Sequence, residues 1–149
     1  MAKTIREQII EKFAARLKPL SSVPVGRAQR NMDDGPEKFI SVWDGDDETE
    51  SEEYGVSSMN FPIAIECIWR YGDKNPSVAA NEQIGLIIDR MLNIDAGADP
   101  TFEGLAYKSE LSTVSPRYPD DGEVFVAVFI VITIYYAVTS GNPYQSAII

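Results

Sequence analysis

Two periodicities organise the apolar positions of this chain. Between residues 2 and 18, Ile5, Ile9, Ile10, Phe13 and Leu17 recur at three- and four-residue spacing, with Arg6, Glu7, Glu11 and Lys12 between them. That pattern predicts an amphipathic helix closed by Pro19. Leu20 to Pro36 is rich in Pro, Gly and Ser and reads as a connection, with a short extended edge piece expected at Val23 and Val25. Alternation then takes over. Phe39 and Ser41 against Ile40 and Val42 predict a strand over Lys38 to Trp43. A second strand, Phe61 to Tyr71, sets Ile63, Ile65, Cys67 and Trp69 on one side and Ala64, Glu66, Ile68 and Arg70 on the other. The two are expected to pair as an antiparallel hairpin.

Asn75-Pro76 opens a second helix, because Asn caps well and Pro at the first helical position loses no needed N–H. Ile84, Ile87, Ile88 and Met91 form its stripe, which runs to about Asn93. Gly85 inside it costs roughly 1 kcal/mol relative to Ala, so a close approach to another element is expected there. A loop from Asp95 to Gly104 leads to a polar strand over Leu105 to Val114. The turn Pro116 to Gly122 precedes a long strand, Glu123 to Val138, and Gly141-Asn142-Pro143 is expected to end regular structure. The order predicts an α+β domain spanning residues 1–149, an antiparallel sheet of about four strands with two main helices packed on one face.

The long strand carries a consequence for assembly. Fifteen extended residues span about 50 Å, against a diameter of roughly 40 Å for a compact domain of this length. Both faces are apolar, with Val126, Val128, Ile130 and Ile132 on one and Phe125, Phe129, Val131 and Tyr135 on the other. Two helices cover one face, so the second needs another cover. A neighbouring subunit is the economical one, and loops of the same chain together with the N-terminal connection are the alternative. Phe125, Phe129, Val131 and Tyr135 are therefore candidate interface residues.

Composition narrows the chemistry. The 149 residues include 44% hydrophobic positions, 23 acids against 13 bases, no histidine and one cysteine. The net charge of -10 argues against a surface that tracks phosphates. Without histidine, Ser-His-Asp triads and His-ligated zinc are excluded, and one cysteine allows no intrachain disulfide. The N-terminus lacks the uninterrupted apolar stretch of a signal peptide. The longest apolar run, Val124 to Val138, is short of the roughly 20 residues of a spanning helix and is rich in strand formers. A cytoplasmically made protein that does not enter membranes is expected.

Asp44, Asp46, Asp47, Glu48, Glu50, Glu52 and Glu53 place seven acids in ten residues. Such a run repels itself and is expected as a solvated loop or hairpin tip. Asp44, Asp46 and Glu48 resemble the start of a calcium loop, but Thr49 stands where its turn needs Gly and Gly55 where its bidentate Glu belongs. No metal or other cofactor is expected. Glu66 lies in an apolar strand with Arg70 on the same face, which favours a structural ion pair or solvent exposure over acid–base catalysis. Cys67 lacks an activating partner and reads as a core residue. No phosphate-cradling glycine motif occurs. Trp43, Trp69, Tyr71 and Tyr107 lack a basic groove and read as packing residues, and Arg27, Arg30 and Arg117 are scattered. No enzymatic constellation is expected.

The order of these pieces resembles the tail terminator (tail completion) proteins of long-tailed phages. The features that carry the resemblance are the helix Ile5 to Leu17, the strand with Ile63, Ile65 and Trp69, and the helix Ile84 to Leu92. A loop with Asp99, Thr101, Phe102 and Gly104 follows, and then an apolar strand running into Tyr135-Tyr136 and Gly141-Asn142-Pro143. The acidic run and the strongly apolar last strand depart from the pattern. The resemblance implies a hexameric ring of self-associated chains at the head-proximal end of a virion tail, each subunit expected to use the long strand as one surface and the hairpin or the connection near Arg27 and Arg30 as the other. That ring would halt growth of the tail tube protein, present a surface to a head-completion or connector protein, and pass DNA as cargo. An acidic run facing the lumen would repel the duplex, and one facing a partner would meet basic groups. Another head–tail connector and a monomeric binding module are the alternative readings.

Overall fold

The structure, a computed structural model, describes residues 2–29 and 38–148. Its elements run α1 (Ile5–Leu17), β1 (Gly26–Arg27), β2 (Lys38–Asp44), β3 (Glu48–Glu53), β4 (Val56–Arg70), α2 (Pro76–Leu92), β5 (Lys108–Arg117), β6 (Phe125–Thr139) and β7 (Asn142–Ser146). Short 3-10 turns follow the helices at Lys18–Leu20 and Ile94–Ala96. The class is α+β, with two helices on a seven-stranded sheet.

β4 and β6 pair antiparallel over their whole length, from Val56 opposite Thr139 to Arg70 opposite Phe125. Beside β4, β2 pairs with its second half and β3 with its first, so the pair forms one broken column. Beside β6, β5 and β7 do the same. β1 adds a parallel edge to β2. The expected antiparallel sheet of about four strands is therefore an undercount: the sheet is mixed and has seven strands, arranged as four columns, two of them split, plus the parallel β1. At the predicted edge piece near Val23 and Val25, the strand begins one residue later, at Gly26.

Three further expectations are corrected. Most of the acidic run is a strand, not a loop: Glu48–Glu53 form β3, exposed along all six residues and paired with β4, while residues 45–47 are the break between β2 and β3. The hairpin tip is Tyr54-Gly55, with φ of +53° and +77° between the paired Glu53 and Val56. Positive φ at both central residues matches the twist of the flanking strands. Gly141 does not end the sheet; with Ser140 it turns the chain into β7, and Ser140 N–H donates to the Gly55 carbonyl at 2.9 Å. The polar strand begins at Lys108, not Leu105, because residues 99–106 form a hydrogen-bonded turn, and it runs on through Pro116 to Arg117. Pro is tolerated on such an edge strand.

The helices form where their caps and stripes predict. The Thr4 hydroxyl accepts from Glu7 N–H at 3.0 Å, and the Asn75 side chain accepts from Ser77 N–H at 2.9 Å. Ile5, Ile9, Ile10, Phe13 and Leu17 of α1 and Ala79, Ala80, Ile87 and Met91 of α2 are buried in one core. They meet the inner sheet face, where Ile40, Val42, Ile63, Ile65, Cys67, Val128, Ile130 and Ile132 are nearly or wholly inaccessible. No helix among the described residues is long and apolar enough to cross a membrane.

Two glycines behave oppositely. A Cβ at Gly45, in the break between β2 and β3, would meet Pro62 Cγ at 2.6 Å, while Gly45 N–H donates to the Pro62 carbonyl at 2.8 Å. Gly85, by contrast, has nothing within 4 Å of its added Cβ, so the close approach expected there does not occur. In urea denaturation, Gly85→Ala is expected to stabilise the fold by about 0.5–1 kcal/mol. Gly45→Ala is expected to destabilise it by about 1–3 kcal/mol through overpacking.

Candidate functional site

The outer sheet face divides into two halves. On the β2–β4 half, Phe39, Ser41 and Glu66 are buried, and the Ser41 hydroxyl donates to the Gln29 carbonyl. There the chain supplies cover from its own N-terminal connection. On the β6 half, Phe125, Ala127, Phe129, Val131, Thr133 and Tyr135 form a stripe that stays partly exposed, Phe125 the most so. The four apolar and aromatic residues proposed as an interface thus lie on one strand and one face.

Each aromatic ring of the stripe carries a cation from a neighbouring strand. The Arg70 guanidinium sits 5.2 Å from the Phe125 ring centre, Arg117 4.9 Å from Phe129, and Lys108 Nζ 5.0 Å from Tyr135. Such contacts attract through the ring quadrupole. They follow from the register, which places Arg70 opposite Phe125, Lys108 opposite Tyr135 and Arg117 one diagonal step from Phe129. Lys108 also pairs with Glu110 at 3.1 Å. Sequence reading missed these partners, because a basic residue reveals its cross-strand neighbour only once register is fixed.

At the far end of the same face, Tyr107 donates to Glu50 at 2.9 Å and packs 6.1 Å from the Tyr135 ring. Partial burial and the Glu50 carboxylate push the Tyr107 hydroxyl up to about 12, so it remains a donor at neutral pH. Glu48 and Glu53 point to this face by register, opposite Asn60 and Val56. Neither pairs with a cation among the described residues.

The rest of the acidic run is partly committed to the chain itself. Arg6 reaches from α1 to Asp44 Oδ2 at 2.8 Å, Asp47 Oδ1 at 3.0 Å and the Gly45 carbonyl at 2.5 Å, with its guanidinium 4.3 Å from the Phe61 ring centre. Burial opposes the charge on Arg6, but the two carboxylates outweigh it and raise its pKa. Tyr136 donates to Asp47 Oδ2 at 3.0 Å, and its hydroxyl is shifted up, first by burial and then by that carboxylate. Glu52 accepts from the Ser57 hydroxyl. Asp46 stays exposed. The acids therefore split between a lock at the β2–β3 break and a free outer edge.

The loop before β5 is a second lock. Asp99 accepts from Thr101 N–H and hydroxyl at 2.9 and 2.6 Å and from Glu103 N–H at 2.8 Å. The Thr101 hydroxyl and those two backbone donors hold the Asp99 pKa below its ordinary value. Phe102, at φ +49°, turns inward, stacks on Phe13 with centroids 5.8 Å apart and lies under the Arg16 guanidinium. Asp99, Thr101 and Phe102 are thereby explained as structural, as is Gly104 at φ +86°.

The other singled-out residues scatter. Arg27, on β1, makes a two-pronged ion pair with Glu7 of α1 at 2.6 and 2.9 Å, on the opposite face from the stripe. Arg30 lies outside the described residues. Trp69 is buried, while Trp43 and Tyr71 are partly so. Among the described residues, no group of three or more acids and cysteines is arranged to hold a metal ion.

Comparison with known proteins adds little. No family model matches the chain, and no curated protein does. One solved chain without a descriptive name shares 14% identity, covering 87% of this chain and 94% of its own length at a TM-score of 0.43. A likeness that distant carries no functional argument.

Two outcomes are expected. Cys67 is inaccessible and burial pushes its thiol up to about 12, so a thiol-reactive disulfide reagent at pH 8 should leave native protein unlabelled and modify the unfolded chain. Because the folded pKa of Asp99 is lowered, its contribution is fully present above the unfolded value near ~3.9 and lost as pH falls through the folded value. The stability gap between wild type and Asp99→Ala in chemical denaturation should thus be constant from pH 5 to 7 and narrow below pH ~4; a gap that widens on acidification would contradict this role.

Proposed function

We propose that this chain is a structural virion assembly protein of the tail-terminator kind. It forms a hexameric ring on the end of a phage tail tube, stops tail polymerisation and provides the surface to which the head docks. The observation that carries the reading is the β6 stripe: a continuous apolar and aromatic strip, six residues long in one register, which the chain's own helices and connection leave partly exposed. A surface of that composition on a sheet face suits burial by another protein.

A ring needs two different complementary surfaces on each chain, joined by a rotation that closes. The stripe supplies one. The tail tube protein and a head-completion protein would occupy the ring's two ends, and DNA would pass as cargo through a particle whose subunits each carry a net charge of -10. Assembly would take place in the host cytoplasm and leave the protein in the virion.

Light scattering behind size exclusion is expected to give about 99 kDa, six chains of 16.5 kDa, for the free ring, and if the free chain is monomeric, negative stain is expected to show rings on added tail tubes. Phe129→Glu and Val131→Glu are expected to remain monomeric with an unchanged circular dichroism spectrum, since a buried unpaired charge at an interface costs several kcal/mol. Wild type that stays monomeric with and without tail tubes would overturn the reading.

A further inference from the structure

The β3–β4 hairpin breaks a local rule at its tip. Two-residue turns with both φ values positive favour Asn, Asp or Gly, whereas a bulky side chain there is strained. The tip residue is Tyr54 at φ +53°, and it is 100% exposed. A strained aromatic ring held wholly in solvent contributes nothing to the fold of its own chain. Glu53 beside it and Glu48 at the other end of β3 face the outer side of the sheet without a cation among the described residues.

The opposite end of the same face has the complementary composition. Arg70 and Arg117 lie over Phe125 and Phe129, and in a chain of 23 acids neither forms an ion pair with any described carboxylate. Glu66, the acid of this part of the face, is buried. Asp120, Asp121 and Glu123 belong to the connection between β5 and β6. A guanidinium over a ring keeps its N–H edge available to a carboxylate.

We propose that the hairpin tip of one copy docks on the Arg70–Phe125 end of the stripe of the next, with Tyr54 against the Phe125 and Phe129 rings and Glu48 and Glu53 facing Arg70 and Arg117. This rests on the ring reading above and names its interface. Both surfaces lie on one face but at opposite ends of 15-residue strands, so the contact is head-to-tail and each chain offers one of each. The occupant is a second copy because the missing charges and the unshared aromatic ring are supplied by this same chain. The strain at Tyr54 is then the local concession to a contact made only in the assembly.

The test separates fold from assembly. Tyr54→Asn suits the turn, so its melting temperature should equal or exceed that of wild type while the midpoint concentration of assembly rises at least ~10-fold, as for an aromatic anchor. Arg70→Glu and Glu53→Arg should each weaken assembly by ~10-fold or more, and the two together in one chain should restore it to within about threefold of wild type. If wild type assembles but Tyr54→Asn assembles at the same concentration, or the double exchange is no better than the singles, this interface is overturned and the ring reading stands. A benzophenone side chain at position 54 that crosslinks to tail tube protein instead of a second copy also overturns it. Wild type that never assembles removes the ring reading and this interface together.

Discussion

The full-length pairing of β4 with β6 sets what the rest of the chain can do. Two 15-residue strands in one unbroken register extend about 50 Å, whereas the 17-residue α2 spans about 25 Å. The two helices together cover one face, where β6 is buried at every second residue from Val126 to Val138. On the outer face, Gln29 of the connection meets the β2–β4 half, where Ser41 and Glu66 are buried, while the outward residues of β6 stay partly exposed.

The long ribbon also forces breaks in its flanking columns, and polar chemistry holds them. Where β2 gives way to β3, Gly45 fits against Pro62 only because it has no side chain, and Arg6 ties Asp44 and Asp47 back to α1 over the Phe61 ring. Ahead of β5, Asp99 folds the loop so that Phe102 stacks on Phe13. Arg6 and Phe13 stand on the same helix. α1 thus fixes both the acidic break and the loop that delivers β5 to β6, which links the packing of the inner face to the register of the outer one.

Periodicity made the two helices legible in the sequence, along with the β2–β4 pairing and the two-faced character of β6, because those features depend on apolar spacing within one segment. β3 was not legible: its six residues are all polar, so no alternation marks it, and it exists only because β4 extends back to Val56 to pair with it. β7 was hidden by Gly141 and Pro143, which read as stops but form a turn and an edge. Of the candidate surface, Phe125, Phe129, Val131 and Tyr135 could be assigned to one face from alternation alone. Their cations and the role of Tyr54 could not, since these depend on cross-strand register and a backbone angle. Arg27 was singled out for its charge and is held by Glu7 at the helix side of the sheet, a partner 20 residues distant that spacing does not reveal.

What unites these features is a chain that completes its inner face by itself and leaves its outer β6 face partly exposed, which we propose a second copy covers. Hydroxyl-radical footprinting, read by mass spectrometry below and above the assembly concentration, tests that claim directly. The account predicts that oxidation of Phe125, Phe129 and Tyr135 falls severalfold on assembly while that of Leu86, exposed on the outer side of α2, is unchanged. Loss of reactivity at Leu86 with the stripe still reactive would show that the helical side is the interface, and would contradict it.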